Sequence, residues 1–344
     1  MSILFINHKK IQCGVYEFGK NIGVALDKSP LFLYRECNSA VELLSIIAET
    51  LPDLIIYNYH PSTMPWVTAN FTRKINVPQI GIIHEVTQQI ADSADNSLFN
   101  FHLAHDPTLI MNNPIVFKAG RIIPPYSNKN RIPLVTTIGS FGFGTKGKGF
   151  EKIVSLVQKE FDEAIIRFNI PFAAFGDKDG ENAKLIAENC RKLVVKPKIQ
   201  LHISHDFMEQ LQLLNFIAEN TINVFLYEDQ GIARGISSVI DLSLAVERPI
   251  AISQNAMFRH ILQANPSICV ENNSLKQIIE NGFAPLTKFR MDWTEENICK
   301  DYEMIANNVL SKTIIPPIKG DKYFKDFLIK GRNLINRKLK QIGR

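Results

Sequence analysis

Short apolar runs alternate along this chain with longer stretches whose apolar residues recur at helical spacing. SILFIN, LFLYREC, DLIIYNY, PQIGIIHE, FNFHLAH and NPIVFK are each the length of a strand and rich in Ile, Leu, Phe and Val. Helices are predicted over 15–28 and 39–50, with shorter pieces after residues 60 and 85. RIIPPYSNKNRIP then brings three prolines and no hydrophobic period, which is linker composition. A second series follows, with strands LVTTIGS, IIRFNIPFAAF, IQLHIS, NVFLYE, PIAIS and SICVE. Helices between them are predicted over 149–159, 181–193, 206–219, 238–247, 255–263 and 274–281. Strands alternating with helices in this way form parallel sheets covered on both faces. The pattern therefore predicts an α/β protein of two Rossmann-like, doubly wound domains. The first spans 1–125 and the second 134–313, joined by a linker at 126–133 and followed by a segment at 314–344. In such sheets ligands bind beyond the carboxyl ends of the strands, and a cleft between two units is the expected site.

Composition sharpens this picture without changing it. At 344 residues two domains are expected, and 45% hydrophobic with 21% charged residues is ordinary for a soluble globular protein. No apolar run approaches the roughly 20 residues of a membrane span. MSILFINHKK puts its apolar residues before its charges, the reverse of a secretory signal. The five cysteines, at 13, 37, 190, 269 and 299, lack C-x-x-C spacing and read as reduced thiols of a cytoplasmic protein. The net charge of +5 is uneven: from Asp321 to Arg344 eight Lys or Arg face two acids, with apolar residues at near-helical spacing. A terminal helix packed on the body with a solvated basic face is the favoured reading of 321–344. Peripheral contact with an anionic inner membrane is the other. Nucleic acid is not expected, because no basic-aromatic motif accompanies the charge.

Candidate chemistry centres on IGSFGFGTKGKGFEKIV, residues 138–154, which satisfies more than one phosphate-binding pattern. Gly142, Gly144 and Gly147 spell G-x-G-x-x-G, and Gly142 to Lys148 spell G-x-x-x-x-G-K. A P-loop needs a hydroxyl after the lysine to hold Mg²⁺, and here Gly149 follows. A dinucleotide site wants an acid about 20 residues on, at the end of the next strand, and Asp177 lies too far along. A third reading has Gly139 and Ser140 ending the strand, with Lys148 standing where the helix starts. Glycine backbone with one or two lysines then neutralises a diphosphate without a metal. Spacing alone does not choose among these. A second anion-binding candidate lies in NVFLYEDQGIARGISSVIDLSLAVERPIAIS. Ser237 and Ser238 precede an apolar helix with Arg234 and Gly235 beside them, and Ser238 with Asp241 forms a capping-box-like S-x-x-D. A plain N-cap is the alternative there.

Taken in order, IGSFGFGTKGKGFEKIV, AFGDKDGENAKLI, IQLHISHDFMEQLQLL and GISSVIDLSLAVERPIAIS resemble the second half of GT-B glycosyltransferases, most of all glycosyltransferase family 4. CGVYEFGKNI resembles that family's first glycine loop, GIIHE its strand-end histidine, and RIIPPY the stretch before its linker. The resemblance runs over about residues 2 to 310. It implies two Rossmann-like domains facing a cleft, with a final helix crossing back onto the first domain. It also implies transfer of a sugar from a nucleotide-sugar donor to a polysaccharide, glycolipid or other glycan or lipid-linked acceptor, with no metal and no cofactor beyond the donor itself. Lys148 falls on the family's diphosphate-contacting lysine, and Gly14 on the glycine that lets backbone approach the diphosphate. His84 falls on the histidine near the transferred sugar. Ser140 stands where many members carry Arg, so Lys146 or Arg234 is the replacement cation. His205 borders the base pocket. The family's E-x₇-E acids fall at Arg234 and Leu242, so neither is acidic. Asp241 is then the candidate for ribose, and Glu228 or Asp229 for the sugar.

Other residues carry weaker signals. DKD at 177–179 has the metal-binding D-x-D spacing, yet it follows a strand and precedes a helix, which favours an entry turn. His202 and His205 lack a third ligand for zinc. Tyr59 and His60, with Tyr57 and Trp66, suit either acceptor stacking or the edge of a core. Glu17 and Glu85 are candidate acceptor-side bases, and Asp106 is similarly placed. Ser62 has no G-x-S-x-G elbow around it. Richness in Ile, Asn and Lys fits an AT-rich bacterial genome and work on surface polysaccharide. Two rivals share the architecture: a nucleotide-sugar epimerase, and a degenerate nucleotide-sugar-binding protein without turnover.

Overall fold

The computed structural model describes residues 1–9, 13–172, 176–229, 235–264 and 266–319. The chain forms two compact units. The first takes the start of the chain, Phe18–Ala119 and the stretch from Cys299 onward; the second takes Gly120–Ile298 and the short segment ending at Glu17. No helix among the described residues is long and apolar enough to cross a membrane.

In the first unit the apolar runs become β1 (Ser2–Ile6), β2 (Leu33–Cys37), β3 (Leu54–Tyr57), β4 (Gln79–Ile83), β5 (Phe101–Ala104) and β6 (Val116–Lys118). They pair in parallel in the order β2-β1-β3-β4-β5-β6. β3 reads LIIY and is buried at all four positions, as a strand covered on both faces must be. Between β1 and β3 the strand order reverses, with Ile6 opposite Tyr57. That switch point leaves a crevice at the carboxyl ends, because the connections there depart to opposite faces. The helix after β1, Gly14–Asp27, buries Phe18, Ile22, Ala25 and Leu26 on one face. The helix Ala40–Glu49 begins where Ser39 accepts a hydrogen bond from the Glu42 backbone N–H.

The second unit contains β7 (Thr137–Phe141), β8 (Ala164–Asn169), β9 (Ile199–Ser204), β10 (Ile222–Phe225) and β11 (Ile250–Ile252). These are parallel in the order β11-β10-β7-β8-β9, so β7 and β10 flank its switch point. SICVE contributes only a bridge, Ile252 to Cys269. The predicted helix over 255–263 is instead two 3₁₀ turns, Ala256–Phe258 and Leu262–Ala264. The Met257 carbonyl is taken by the Ser237 N–H at 3.0 Å, and Ile261 donates to Phe258, so the α-helical ladder never starts.

The sequence pattern leaves 284–310 unassigned, and two α-helices fill most of it, Thr287–Asp292 and Glu295–Leu310. The second carries buried Ile298, Tyr302, Ile305, Ala306 and Val309 at helical spacing. From Cys299 the chain belongs to the first unit. Ser29 there donates to Glu303 at 2.5 Å, and Asn100 donates to the Pro316 carbonyl at 2.8 Å. The helix Glu295–Leu310 thus starts in the second unit and continues in the first. The basic stretch 321–344, with the membrane contact suggested for it, lies outside the described residues.

Candidate functional site

At the switch point of the second unit, loop 142–149 runs from β7 to the helix Phe150–Glu160. Two of its glycines are there because backbone packs on backbone. A Cβ at Gly144 would lie 2.6 Å from the Ala183 Cα, and one at Gly149 would lie 1.9 Å from the Leu226 carbonyl oxygen. Gly149 also has φ +73°, a left-handed conformation that costs little only for glycine. The Glu228 N–H donates to the Gly147 carbonyl at 2.9 Å, which straps the loop to the end of β10. Lys148 is thereby held with its Nζ 3.9 Å above the Tyr227 ring centroid. The Tyr227 hydroxyl lies 3.3 Å from Ser237 Oγ. Glu228 pairs with Lys152 at 3.2 Å, both side chains being solvated. The fold thus gathers Lys148, Tyr227, Glu228 and Ser237 around one turn. Lys146 is exposed, Ser140 is buried within β7, and Asp229 is exposed beyond Glu228. Arg234 lies outside the described residues.

Ser238 and Asp241 do not form the expected capping box, since Ser238 makes no side-chain cap bond. Both turn to Arg121 instead. Its Nε donates to Asp241 Oδ1 at 3.1 Å, while Nη2 donates to Oδ2 at 2.5 Å and to Ser238 Oγ at 2.9 Å. The guanidinium and carboxylate are 7% and 5% exposed, so this is a buried, forked ion pair. Burial pushes the Asp241 carboxyl above the usual carboxylate range, against the pull of Arg121. His260 stacks on Trp293 with centroids 5.7 Å apart, and neither ring nitrogen has a hydrogen-bond partner among the described residues. Burial, with Arg121 and Arg259 nearby, holds its pKa well below the usual histidine value.

At the ends of β8 and β9, His205 Nδ1 lies 2.8 Å from the Ile170 carbonyl, and its ring stacks on Phe172 at 5.1 Å. Asp177 accepts from the Asn182 and Ala183 N–H groups at 3.1 and 3.0 Å. The first aspartate of DKD therefore serves the entry to the helix Glu181–Leu193. Among the described residues no cluster of His, Cys, Asp and Glu has the arrangement of a metal site.

In the first unit, polar residues close the apolar strands at the other switch point. Asn7 follows β1, Asn58 follows β3 and His84 follows β4. Asn58 Nδ2 donates to Asn7 Oδ1 at 2.9 Å, and His84 Nε2 lies 2.8 Å from Asn58 Oδ1. Phe18 sets its ring edgewise to His84 at 5.5 Å and to His105 at 4.8 Å. Glu85, exposed, has φ +54°, a strained value for a residue with a Cβ, of the kind that gathers at functional sites. Gly14 opens the helix Gly14–Asp27 with free space around its Cα, and Glu17 stands in that helix's first turn. Tyr59 packs edgewise on Phe99 at 5.4 Å against the apolar core, where burial pushes its hydroxyl up to about 12. His60 is tied into its own turn, with Nδ1 2.7 Å from Ser62 Oγ. Asp106 accepts from the Thr108 N–H and hydroxyl at 3.0 and 2.6 Å.

Two doubly wound parallel units, with a helix returning to the first, recur in solved proteins. A glycosyltransferase from Rickettsia africae matches with TM-score 0.58 at 14% identity, over 91% of this chain and 99% of its own. HepE of Anabaena in complex with UDP-glucose matches with TM-score 0.54 at 12% identity, over 90% and 95%. The trehalose-6-phosphate synthase OtsA matches with TM-score 0.61 at 9% identity, over 91% and 100%. The fold is GT-B. No protein-family model matches the sequence, and no curated protein matches it either. At such identities the likeness is one of fold. Within this GT-B chain, sequence reasoning missed Arg121, Asn7, Asn58, His105 and His260. A polar residue ending an apolar strand run, as in FIN and IIYN, was the available signal for the two asparagines.

Proposed function

We propose that this chain is a glycosyltransferase that moves a sugar from a nucleotide-sugar donor, held chiefly by its second unit, to a glycan or lipid-linked acceptor without a bound metal. The observation that carries this reading is Lys148, fixed over Tyr227 on a glycine loop strapped to the end of β10, at the switch point of a GT-B unit. Its ammonium and the positive end of the helix Phe150–Glu160 both favour a diphosphate there. Stabilising the departing nucleoside diphosphate would supply much of the catalysis. Ser140, Lys146, Arg234, Ser237 and His205 are the further donor-side residues, with Gly14 from the other strand–helix turn. His84, Glu228 and Asp229 are the sugar-side residues, and Glu17, Tyr59, His60 and Glu85 the acceptor-side ones. Asp241, the ribose-side candidate, is buried against Arg121 and orders the helix start together with Ser238. HepE has been solved with UDP-glucose, so uridine diphosphate sugars are the first donors to try.

Thermal-shift measurements against nucleoside diphosphates and nucleotide sugars, on the wild type and Lys148→Ala, test the proposal. A donor at 100 times its Kd adds about 2.7 kcal/mol of stability, and the variant should lose that gain. Stabilisation by NAD alone, or no shift with any ligand, would refute the donor site. A second reading, a nucleotide-sugar-binding protein without turnover, is favoured by Leu242, which stands in the place of an acid and packs half-buried against the core. Donor binding with neither transfer nor hydrolysis of the donor would select it.

A further inference from the structure

The protonation of His84 follows from a run of hydrogen bonds that begins at an unambiguous donor. The backbone N–H of His8 lies 3.0 Å from one side-chain amide atom of Asn7, and a backbone N–H only donates, so that atom is Oδ1. Asn7 Oδ1 is also 2.9 Å from an amide atom of Asn58, which must therefore be the donor Nδ2. The other amide atom of Asn58 is then Oδ1, an acceptor only, and His84 Nε2 lies 2.8 Å from it. A proton must sit on Nε2 for that contact to be a bond. Flipping Asn7 would set donor against donor at the His8 N–H, and flipping Asn58 would set acceptor against acceptor along the Asn7–Asn58 contact.

Packing holds the run in place. Asn7 and Asn58 are 1% and 0% exposed, just beyond two strands whose backbones fix their positions. A Cβ on Gly19 would lie 2.2 Å from Asn58 Nδ2 and 2.7 Å from Asn7 Oδ1, so the helix backbone closes directly over both amides. The Phe18 ring stands edgewise to the imidazole at an interplanar angle of 89°, which restricts rotation of the ring.

We propose that Asn58, oriented by Asn7, is a positioning residue that holds His84 as its Nε2-protonated tautomer, with the acceptor lone pair on Nδ1. Its meaning for turnover rests on the glycosyltransferase reading, in which His84 meets the transferred sugar.

The test is a multiple-bond ¹H–¹⁵N spectrum of the full chain with ¹⁵N-labelled histidine and no ligand, with His84→Gln to assign the signal. The expected pattern has a pyrrole-like Nε2 and a pyridine-like Nδ1. A pyridine-like Nε2, or an even mixture of tautomers, overturns the proposal. Asn58→Asp, while removing the donor to Asn7 Oδ1, keeps an acceptor facing the ring and should keep Nε2 protonated. Asn58→Leu removes it and should let the ring average between tautomers; an unchanged pattern in that variant also overturns the proposal. With a nucleotide-sugar donor, Asn58→Leu should lower kcat/KM on the order of 10-fold or more, mostly in kcat, with Asn58→Asp closer to the wild type. The wild-type tautomer pattern combined with turnover insensitive to both Asn58 and His84 would leave the positioning role intact and remove His84 from the sugar.

Discussion

Arg121 and Asp241 show how one side chain can define a helix start from far along the chain. Their partners are 120 residues apart in sequence, and both groups are almost fully buried. Removing one member leaves an uncompensated buried charge, so Arg121→Ala should destabilise the second unit by about 3–5 kcal/mol in urea unfolding. The double variant Arg121→Met with Asp241→Leu should recover most of that loss, because it leaves no charge behind. His260 gives a prediction in pH. Its folded pKa lies well below 6.5 because burial opposes the charged form. The unfolded chain therefore binds a proton near pH 6.5 that the folded chain does not. Stability is full above that pH and falls on acidification, by up to about 1.4 kcal/mol per pH unit from this residue. His102, also lowered by burial, adds to the slope in the same sense. His260→Phe should flatten the dependence between pH 6.5 and 5.5 by about one proton, measured as unfolding free energy across that range.

At the scale of elements, glycines of similar sequence context have opposite tolerances. Gly149 has φ +73° and no room for a Cβ beside the Leu226 carbonyl. Gly149→Ala should cost about 2 kcal/mol or more and loosen the loop that carries Lys148, weakening donor binding as well. Gly14 has open space and begins a helix, so Gly14→Ala should be neutral or up to about 1 kcal/mol stabilising. If a diphosphate approaches that backbone, the same variant raises the donor KM, and calorimetry with steady-state kinetics separates the two effects. These elements also show which parts of the chain were legible. Strand runs such as IQLHIS and the helix Glu181–Leu193 could be read because apolar period and boundary residues agree there. The glycine-lysine loop was legible because its chemistry is contiguous in sequence. Arg121 was not, because it lies in a proline-rich stretch whose composition reads as linker and its partners lie far along the chain. The stretch 255–263 has helical spacing, and a carbonyl diverted to Ser237 is a tertiary event that spacing cannot report. Helix Glu295–Leu310 was missed although its buried positions follow the helical period.

At the scale of the whole molecule, that last helix passes from one unit to the other along the chain. It starts in the second unit and continues in the first, where Tyr302 is 1% exposed and its hydroxyl lies 2.9 Å from His105 Nε2. Tyr302→Phe keeps the ring and removes that contact, a loss of about 1 kcal/mol confined to the first unit. A nucleotide sugar bound to the second unit should act on the other side, raising only that unit's transition by mass action. Scanning calorimetry of the variant, with and without the donor that thermal shift selects, therefore has a definite expectation. One transition moves down with the mutation and a different one moves up with the ligand, as for two units that unfold separately. If a single transition responds to both, the helix Glu295–Leu310 carries enough stability to fuse the units into one cooperative fold. Tyr302→Phe would then also lower the apparent affinity for donor wherever unfolding competes with binding, a readout independent of the calorimetric shape.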